Sequence, residues 1–243
     1  MICLAFDTTA KAVTAALCDG RKLLSAYFAE LPGVHTTETL LPSITHMLTD
    51  AGLTFDDIGL VAVTVGPGSF TGVRSGAATA KGLVFGRSTP CAAVSSLRAL
   101  ASNLLDREGI LLAAMDARRD QLYYAFFSVS DGVLTRLTED AADSAEAVAR
   151  QARALGAERI LCTGDGAAIA ASALTCAGIR AILPAAPLDR QFAYGVALCG
   201  LEDFESGKTV SGEELLPTYL RGFGNPPQEK ADAKKKPKEN QEK

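Results

Sequence analysis

The sequence predicts an α/β protein built from two similar domains, each with a mixed β-sheet covered by helices. The first observation is an order of segments, three short strands followed by alternating helices and strands, that occurs twice along the 243 residues. The second is an aspartate at the end of the first strand of each half, Asp7 and Asp116. The third is a composition of 48% hydrophobic residues, which is enough apolar surface for a substantial core.

In the first half, three apolar, β-rich segments are separated by short polar turns and predict an antiparallel meander at 2–8, 13–18 and 23–29. Apolar residues then recur at helical spacing from about Thr39 to Ala51, and Gly52 supplies a stop. Pro42 places the helix start near Thr39 or bends the helix there. The unit ends with a strand at 60–66, a helix over 71–85 and a strand at 91–95.

The second half repeats this order. Three strands are predicted at 110–117, 121–129 and 133–138, followed by a helix from Ser144 to about Leu155. A strand, a helix, a short strand and a long helix follow at 159–164, 167–176, 181–183 and 189–207. We therefore expect an N-terminal domain at 1–105 and a C-terminal domain at 106–223. Residues 224–243 contain no large apolar residue and predict a disordered tail.

Composition argues against several classes of protein. No stretch approaches the roughly 18 apolar residues of a membrane span, and the start lacks the basic region of a secretory signal, which predicts a cytoplasmic protein. The six cysteines are scattered without a CxxC pair and are expected to be reduced and buried. Two histidines are too few for a zinc site, so no metal is expected. The net charge of −4 is negative, like that of the phosphate backbone, which argues against a protein that binds nucleic acid without a partner.

The two strand-end aspartates leave two interpretations open. Ligands of open α/β sheets meet side chains at strand ends, so Asp7 and Asp116 could line a cleft between the domains. Alternatively, each aspartate organises its own turn. The sequence Gly164-Asp165-Gly166 is similarly open to two interpretations, a remnant of an adenosine site or a simple turn, and we favour the turn.

Residues 66–82, GPGSFTGVRSGAATAKG, are the most informative segment. A phosphate-binding P-loop is rejected because Val73 and Arg74 stand where its lysine and Ser/Thr would be. Gly72, Gly76 and Ala80 are four residues apart, which leaves one helical face almost without side chains. We expect close packing against this face, either inside the domain or across an interface.

Six segments together resemble the bacterial TsaB (YeaZ) family, subunits of the machinery that makes N6-threonylcarbamoyladenosine in tRNA. The segments are FDTT from residue 6, HTTETLLP from 35, VGPGSFTGVRSGAATAKGL from 65, VSSLRALA from 94, MDARRDQLYYAFF from 115 and LLPTYLR from 215. The resemblance extends over the whole chain except the tail.

The resemblance implies two duplicated ribonuclease-H-like domains of the actin, Hsp70 and sugar-kinase superfamily. It also implies a non-catalytic scaffold and activator that pairs with a TsaD-type catalytic paralogue, on which a TsaE-type ATPase docks. ATP would be used by the wider complex, with no cofactor in this chain, and contact with tRNA would be indirect. A homodimer of the isolated chain is left open.

Two helices match the interface helices of the family. The implied interface residues are Leu40, Leu41, Ile44, Leu48, Val73, Gly76, Ala77 and Ala80. On this basis Gly76→Arg is expected to abolish pairing while leaving the fold intact. The implied remnant of a nucleotide cleft consists of Asp7, Asp116, Gly164 and Gly166.

The residues themselves favour a lost active site. The catalytic paralogue carries an HxxxH metal motif, whereas His35 and His46 are eleven residues apart here. Relatives that use ATP have glycine soon after the strand-end aspartate, where this chain has the β-branched Thr8 and Thr9. The alternative is an ATPase or kinase that holds Mg-ATP with Asp7 and Asp116; a metallopeptidase is disfavoured because no HExxH is present.

Overall fold

A computed structural model describes residues 1–30, 36–185 and 188–220. The first sheet has the strand order β3-β2-β1-β4-β5. β1 pairs antiparallel with β2 and parallel with β4, β2 pairs antiparallel with β3, and β4 pairs parallel with β5. Its strands are β1 (Ile2–Asp7), β2 (Val13–Asp19), β3 (Lys22–Ala29), β4 (Ile58–Gly66) and β5 (Cys91–Ser95).

The second sheet repeats that topology. Its order is β8-β7-β6-β10-β11, with the same two antiparallel and two parallel pairings, and β9 pairs with β7. Its strands are β6 (Gly109–Arg118), β7 (Gln121–Ser130), β8 (Val133–Arg136), β9 (Ala141–Ser144), β10 (Arg159–Thr163) and β11 (Arg180–Ile182). The predicted duplication is therefore confirmed strand by strand, with β9 as an addition that the sequence pattern missed.

Six α-helices lie in the described ranges. They are α1 (Thr36–Asp50), α2 (Phe70–Val84), α3 (Ser96–Ser102), α4 (Ala145–Ala154), α5 (Ala167–Cys176) and α6 (Ala193–Glu205). The short helix α3 was not predicted, and α6 is shorter than the predicted 189–207. The hydroxyls of Ser69, Ser95 and Ser144 accept hydrogen bonds from backbone N–H groups in the first turns of α2, α3 and α4, which explains where these helices begin.

Each sheet has apolar side chains on both faces, and helices cover all four faces. α1 and α2 pack on one face of the first sheet, and α6 packs on the other. α4 and α5 cover one face of the second sheet, whereas α3 covers the opposite face. This is the arrangement expected of mixed sheets whose parallel strands are buried on both sides.

The chain crosses between the two halves in a way that departs from the predicted domain boundaries. α6 comes from the second half of the sequence but packs on β1, β2, β4 and β5. Val210 pairs with Cys91 at the edge of the first sheet, and the Thr218 N–H donates to the Val65 carbonyl. Residues of the predicted second domain therefore complete the first. The predicted tail, 224–243, lies outside the described residues.

An ion-pair cluster fastens α3 to α6. The Arg98 guanidinium donates through Nη1 to both Asp203 carboxylate oxygens at 2.7 and 2.9 Å, and through Nη2 to Glu202 at 2.9 Å. The Asp203 side chain is 11% exposed and that of Arg98 is 25% exposed, so water screens this cluster only in part. Since α3 packs on the second sheet and α6 on the first, the cluster helps to hold the two units together.

The cysteines behave largely as predicted. All six are free; five are buried, and Cys176 is the exposed exception. Burial raises the pKa of the Cys3 and Cys162 thiols to about 12, so these side chains stay protonated and pack as small apolar groups. Among the described helices, none is both long and apolar enough to cross a membrane.

We expect Arg98→Ala to lower the free energy of unfolding by about 3 kcal/mol, because the nearly buried Asp203 carboxylate would lose its counter-charge. Arg21→Ala is the matched control, since Arg21 only approaches Glu202 and Glu205 at 4.0 and 3.9 Å in exposed positions. It should change stability by less than about 0.5 kcal/mol. Urea unfolding followed by circular dichroism measures both, and equal losses would contradict the role of Arg98.

Candidate functional site

The end of β1 forms a tightly bonded turn. The Asp7 Oδ1 atom accepts hydrogen bonds from the Thr9 N–H and from the Thr9 hydroxyl, both at 2.7 Å. The Thr8 hydroxyl donates to the Gly72 carbonyl at 2.7 Å, and the Ser69 N–H donates to the Thr9 carbonyl at 2.6 Å. The strand-end turn is thus bonded directly to the first turn of α2, and its three side chains are buried.

Glycines allow α2 to approach this turn. A Cβ atom at Gly72 would overlap the Thr8 carbonyl oxygen, and one at Gly76 would lie 2.6 Å from the Thr8 hydroxyl oxygen. Gly68 has a φ of +157°, and a Cβ atom there would lie 2.5 Å from the Thr9 carbonyl oxygen. The small face predicted for this helix therefore exists, and it is used inside the domain, where it packs on the end of β1.

The C-terminal segment covers the outer side of the same region. Leu215 is fully buried in the core under α1 and α2. The Tyr219 ring stacks on Phe70 with a centroid distance of 4.8 Å, and the Arg74 guanidinium lies 3.9 Å above the Phe70 ring. The Arg74 Nε–H also donates to the Tyr219 hydroxyl at 3.0 Å. The segments around 66–74 and 215–219, which both carried the family resemblance, therefore form one structural unit.

Asp116 organises its own turn in the second domain. Its Oδ1 atom accepts from the Arg118 N–H at 2.8 Å, and its Oδ2 atom accepts from the Arg118 guanidinium at 2.9 Å. The Asp116 N–H donates to the Asp165 carboxylate at 3.0 Å. Burial raises the pKa of Asp165, and the negative charge of Asp116 raises it further. The hydrogen bond from the Asp116 N–H and the positive charges of Lys11 and Arg118 lower the pKa of Asp165 in part.

Gly164 and Gly166 lie beside Asp116 because they pack against β6. A Cβ atom at Gly164 would overlap the Ala114 carbonyl oxygen, and one at Gly166 would lie 3.0 Å from the Asp116 backbone nitrogen. The Gly166 N–H donates to the Ala114 carbonyl at 3.1 Å. Close contact between the turn that follows β10 and the end of β6 accounts for both glycines, which supports the turn interpretation.

The two strand-end aspartates use the same local device. Each carboxylate accepts a hydrogen bond from the backbone N–H two residues later, Thr9 for Asp7 and Arg118 for Asp116. The structure brings Asp116, Gly164 and Gly166 together, whereas Asp7 is buried within the first domain. The turn-organising interpretation thus describes both carboxylates, and their oxygens are largely engaged within the chain.

The structure corrects the predicted interface residues. Seven of the eight are buried within the chain itself, and Leu41, 45% exposed, is the exception. The buried seven are Leu40, Ile44, Leu48, Val73, Gly76, Ala77 and Ala80. They pack toward the first sheet, so they cannot offer contact area to a partner in the folded state. Gly76→Arg is accordingly expected to disrupt the fold, which reverses our expectation from the sequence.

On the outer face of α1, the sequence analysis named Leu41 but not the threonines that follow it. Leu41, Thr45 and Thr49 are four residues apart and exposed. The Thr45 hydroxyl donates to the Leu41 carbonyl at 3.0 Å, and the Thr49 hydroxyl donates to the Thr45 carbonyl at 2.9 Å. Because these hydroxyls are bonded to their own helix, the stripe behaves as less polar than its composition suggests. His46 is also exposed on α1, and His35 lies outside the described residues.

The outer face of α2 consists of small residues. Its exposed or half-buried members are Thr71, Ser75, Ala78 and Gly82, and the stripe ends at Phe85, whose side chain is 88% exposed. The two cations of α2 turn toward the C-terminal segment, Arg74 to Tyr219 and Lys81 to the Glu213 carbonyl. α1 and α2 cover the same face of the sheet, so their two outer stripes form one surface, which we call the α1–α2 surface.

Comparison with known proteins identifies the class of protein to which this fold and this site belong. The family model for TsaD, tRNA N6-adenosine threonylcarbamoyltransferase, matches residues 30–184. The tRNA threonylcarbamoyladenosine biosynthesis protein TsaB of Escherichia coli is 33% identical over 227 residues, which cover 90% of this chain and 94% of that protein. The chain therefore belongs to the TsaB (YeaZ) family.

Solved structures agree with this assignment. YeaZ from Pseudomonas aeruginosa is 26% identical, covers 90% of this chain and 99% of its own, and superposes with a TM-score of 0.75. The ROK hexokinase of Thermus thermophilus, 14% identical, covers 85% of this chain and 100% of its own with a TM-score of 0.52. This second similarity shows the fold alone, and it agrees with the predicted fold class of two α/β domains with mixed sheets flanked by helices.

Two glycines of α2 provide a matched test of the inner packing. Gly72→Ala should lower the free energy of unfolding by about 2 kcal/mol or more, because its methyl group would overlap the Thr8 backbone. At Gly82 a Cβ atom meets nothing within 4 Å, so Gly82→Ala should be neutral or stabilising by up to about 1 kcal/mol. Urea denaturation of both variants measures the difference, and equal effects would argue against the described contact.

Proposed function

We propose that this protein is a non-catalytic subunit of the system that makes N6-threonylcarbamoyladenosine in tRNA, and that it pairs with a TsaD-type catalytic paralogue through the α1–α2 surface. Family membership supports the biosynthetic role, since the E. coli relative is named for it. The observation that carries the pairing is the α1–α2 surface itself, whose named members are uncharged: small or hydroxyl-bearing residues on two helices, with Leu41 and Phe85 as the exposed large apolar side chains.

The physical argument for pairing is close helix contact. Small side chains such as Ala78 and Gly82 let a second helix approach, and the centre of a protein interface is typically depleted of charge. Leu41 and Phe85, 45% and 88% exposed, offer apolar side chains at the two ends of the surface.

The strand-end carboxylates support a role without catalysis. Asp7 is 1% exposed and is bonded to Thr9, whereas Asp116 forms an ion pair with Arg118. Neither is placed as an exposed acid in an open cleft, which a Mg-ATP site built on both would need. The alternative ATPase or kinase therefore has less support than the scaffold, and no cofactor is proposed for the chain.

The remaining partners follow from the same proposal. A TsaE-type ATPase would dock on the assembled pair, so that ATP is used by the wider complex. Contact of this chain with tRNA would be indirect, in keeping with the net charge of −4, and the complex would work in the cytoplasm. A second copy of the chain could occupy the α1–α2 surface when the paralogue is absent.

The decisive variant is Ala78→Arg, which places a charge in the middle of the α1–α2 surface. We expect its affinity for the TsaD-type paralogue to fall at least 100-fold, because the guanidinium would be desolvated without a partner. Ala154→Arg is the matched control, since Ala154 is an exposed helical alanine in the second domain. Isothermal titration measures the affinities, and thermal unfolding by circular dichroism should show both variants folded.

Activity provides the functional readout. In a reconstitution with tRNA, threonine, bicarbonate, ATP and the paralogue with its helpers, nucleoside formation should require this chain and should be lost with Ala78→Arg but not with Ala154→Arg. Undiminished pairing of Ala78→Arg would remove the α1–α2 surface from the proposal. Full activity without this chain would overturn the scaffold role itself. Sedimentation of the isolated chain would show whether a second copy uses the same surface.

A further inference from the structure

One edge of the first sheet is formed by β3. This strand ends the order β3-β2-β1-β4-β5, and within the described residues no strand pairs with its outer side. Its eight residues, Lys22–Ala29, therefore present a row of backbone N–H and C=O groups to solvent. A strand edge of this kind is a template on which a strand of another chain can be added.

The other sheet edges in the described part of the chain are short or covered. β8 and β11, the two edges of the second sheet, have four and three residues. At the opposite edge of the first sheet, Val210 pairs with Cys91 of β5. Short or covered edges are the usual protection against pairing with another chain. Of these edges, β3 is the long and uncovered one.

The side chains of β3 also lack the usual protection of an edge strand. No charged residue and no proline lies between Lys22, its first residue, and Glu30, which follows its last residue. Three large apolar side chains, Leu23, Leu24 and Phe28, are 39%, 40% and 38% exposed. Leu24 is the extra residue of a bulge against β2, and the five residues after it pair regularly. The middle of β3 is therefore an uncharged edge with exposed apolar side chains.

The beginning of β3 carries a positive charge. Lys22 is exposed, and Asp19, which lies opposite it on β2, is paired with the amino group of Met1 at 3.0 Å. The adjacent Arg21 is directed toward two glutamates of α6, at 4.0 and 3.9 Å. The ammonium group of Lys22 is thus the group at this end that can meet an anion of a partner.

The other end of β3 carries a negative charge. The Arg190 guanidinium donates to the Glu30 carboxylate at 3.2 Å and to the Asp189 carboxylate at 2.8 Å. One guanidinium between two carboxylates leaves one negative charge uncompensated. The Glu30 side chain is 36% exposed, so a cation of a partner can reach it.

We propose that a second copy of this chain pairs with β3 in antiparallel orientation, about a two-fold axis near Ala26, and joins two first sheets into one continuous sheet. Lys22 and Glu30 lie four residues on either side of Ala26, so each Lys22 meets Glu30 of the other copy. Leu24 meets Phe28 of the other copy as an apolar cross-strand pair. The bulge displaces Lys22 by about one residue, which its flexible side chain can span.

The pattern of charges identifies the partner as a copy of the same chain. A different strand would need an apolar centre with an acidic residue and a basic residue at the matching ends. β3 itself supplies that pattern when it is read in the opposite direction, since its positive and negative groups are equally far from its centre. Antiparallel self-pairing therefore satisfies both ends at once.

The β3 edge and the α1–α2 surface are different parts of the first domain. β3 ends the sheet within its own plane, whereas α1 and α2 lie on one of its faces. Self-pairing through β3 leaves the α1–α2 surface open to the paralogue, so either proposal can fail without the other. Ala78→Arg should accordingly leave self-association through β3 unchanged.

Charge reversal tests the pairing. Sedimentation equilibrium of the full chain at low salt, over about 1 to 200 µM, should show a monomer–dimer equilibrium. Lys22→Glu and Glu30→Lys should each weaken the dimer by about tenfold, because like charges then meet at both ends of the paired strands. An equimolar mixture of the two variants should associate again, because opposite charges then meet at both ends. Lys208→Glu, at an exposed position outside β3, is the matched control for net charge and should dimerise like the natural chain.

Three results would overturn the proposal. The first is a natural chain that stays monomeric over this concentration range. The second is a dimer that Ala78→Arg abolishes and Lys22→Glu leaves intact, since the second copy would then occupy the α1–α2 surface. The third is a mixture of the two charge variants that fails to associate. Circular dichroism should show all variants folded, because Lys22, Glu30 and Lys208 are exposed.

A thiol at the two-fold axis provides a second measurement. Ala26 is exposed, and the proposed pairing places it beside Ala26 of the other copy, within reach of a disulfide. In a Cys176→Ser background, which removes the exposed native cysteine, Ala26→Cys should give a covalent dimer on mild oxidation. Lys208→Cys is the control and should remain monomeric. Absence of the covalent dimer in Ala26→Cys, at concentrations where sedimentation shows a dimer, would contradict pairing at β3.

Discussion

The contact between the turn at residues 7–9 and the first turn of α2 is the constraint on which the first domain depends. It joins the end of β1 to the segment that follows β4 through the Thr8–Gly72 and Ser69–Thr9 hydrogen bonds. It requires glycine at 68, 72 and 76, because any Cβ atom there would meet the backbone or side chain of the turn. In fixing α2 it also fixes which face of that helix is turned to solvent.

The same contact affects what the end of β1 can do. In an open α/β sheet, the strand ends are where a ligand is usually received. Here α2 and the side chains of Thr8 and Thr9 occupy the end of β1, and Asp7 is enclosed beneath them. The aspartate at the end of the first strand therefore organises a turn in both halves.

The inner and outer faces of α2 explain why spacing in the sequence selected residues that the fold buries. Both faces carry small residues, Gly72 and Gly76 inward and Ala78 and Gly82 outward, so spacing alone does not separate them. Similarly, Leu40 and Ile44 of α1 look like contact residues in sequence, but the first sheet buries them. Thr45 and Thr49 look polar, although their hydroxyls are bonded to the helix.

The sequence by itself determined most of the strand and helix order of both halves, without β9 and α3, and also the duplication and the family, because hydrophobic periodicity and short motifs are local properties. Only the tertiary structure decided that α6 returns to the first sheet and that α3 lies on the second, since both apolar helices would suit either face. It also decided which small residues are inward and which carboxylates are buried. Those outcomes depend on contacts between residues far apart in the chain, which no local pattern records.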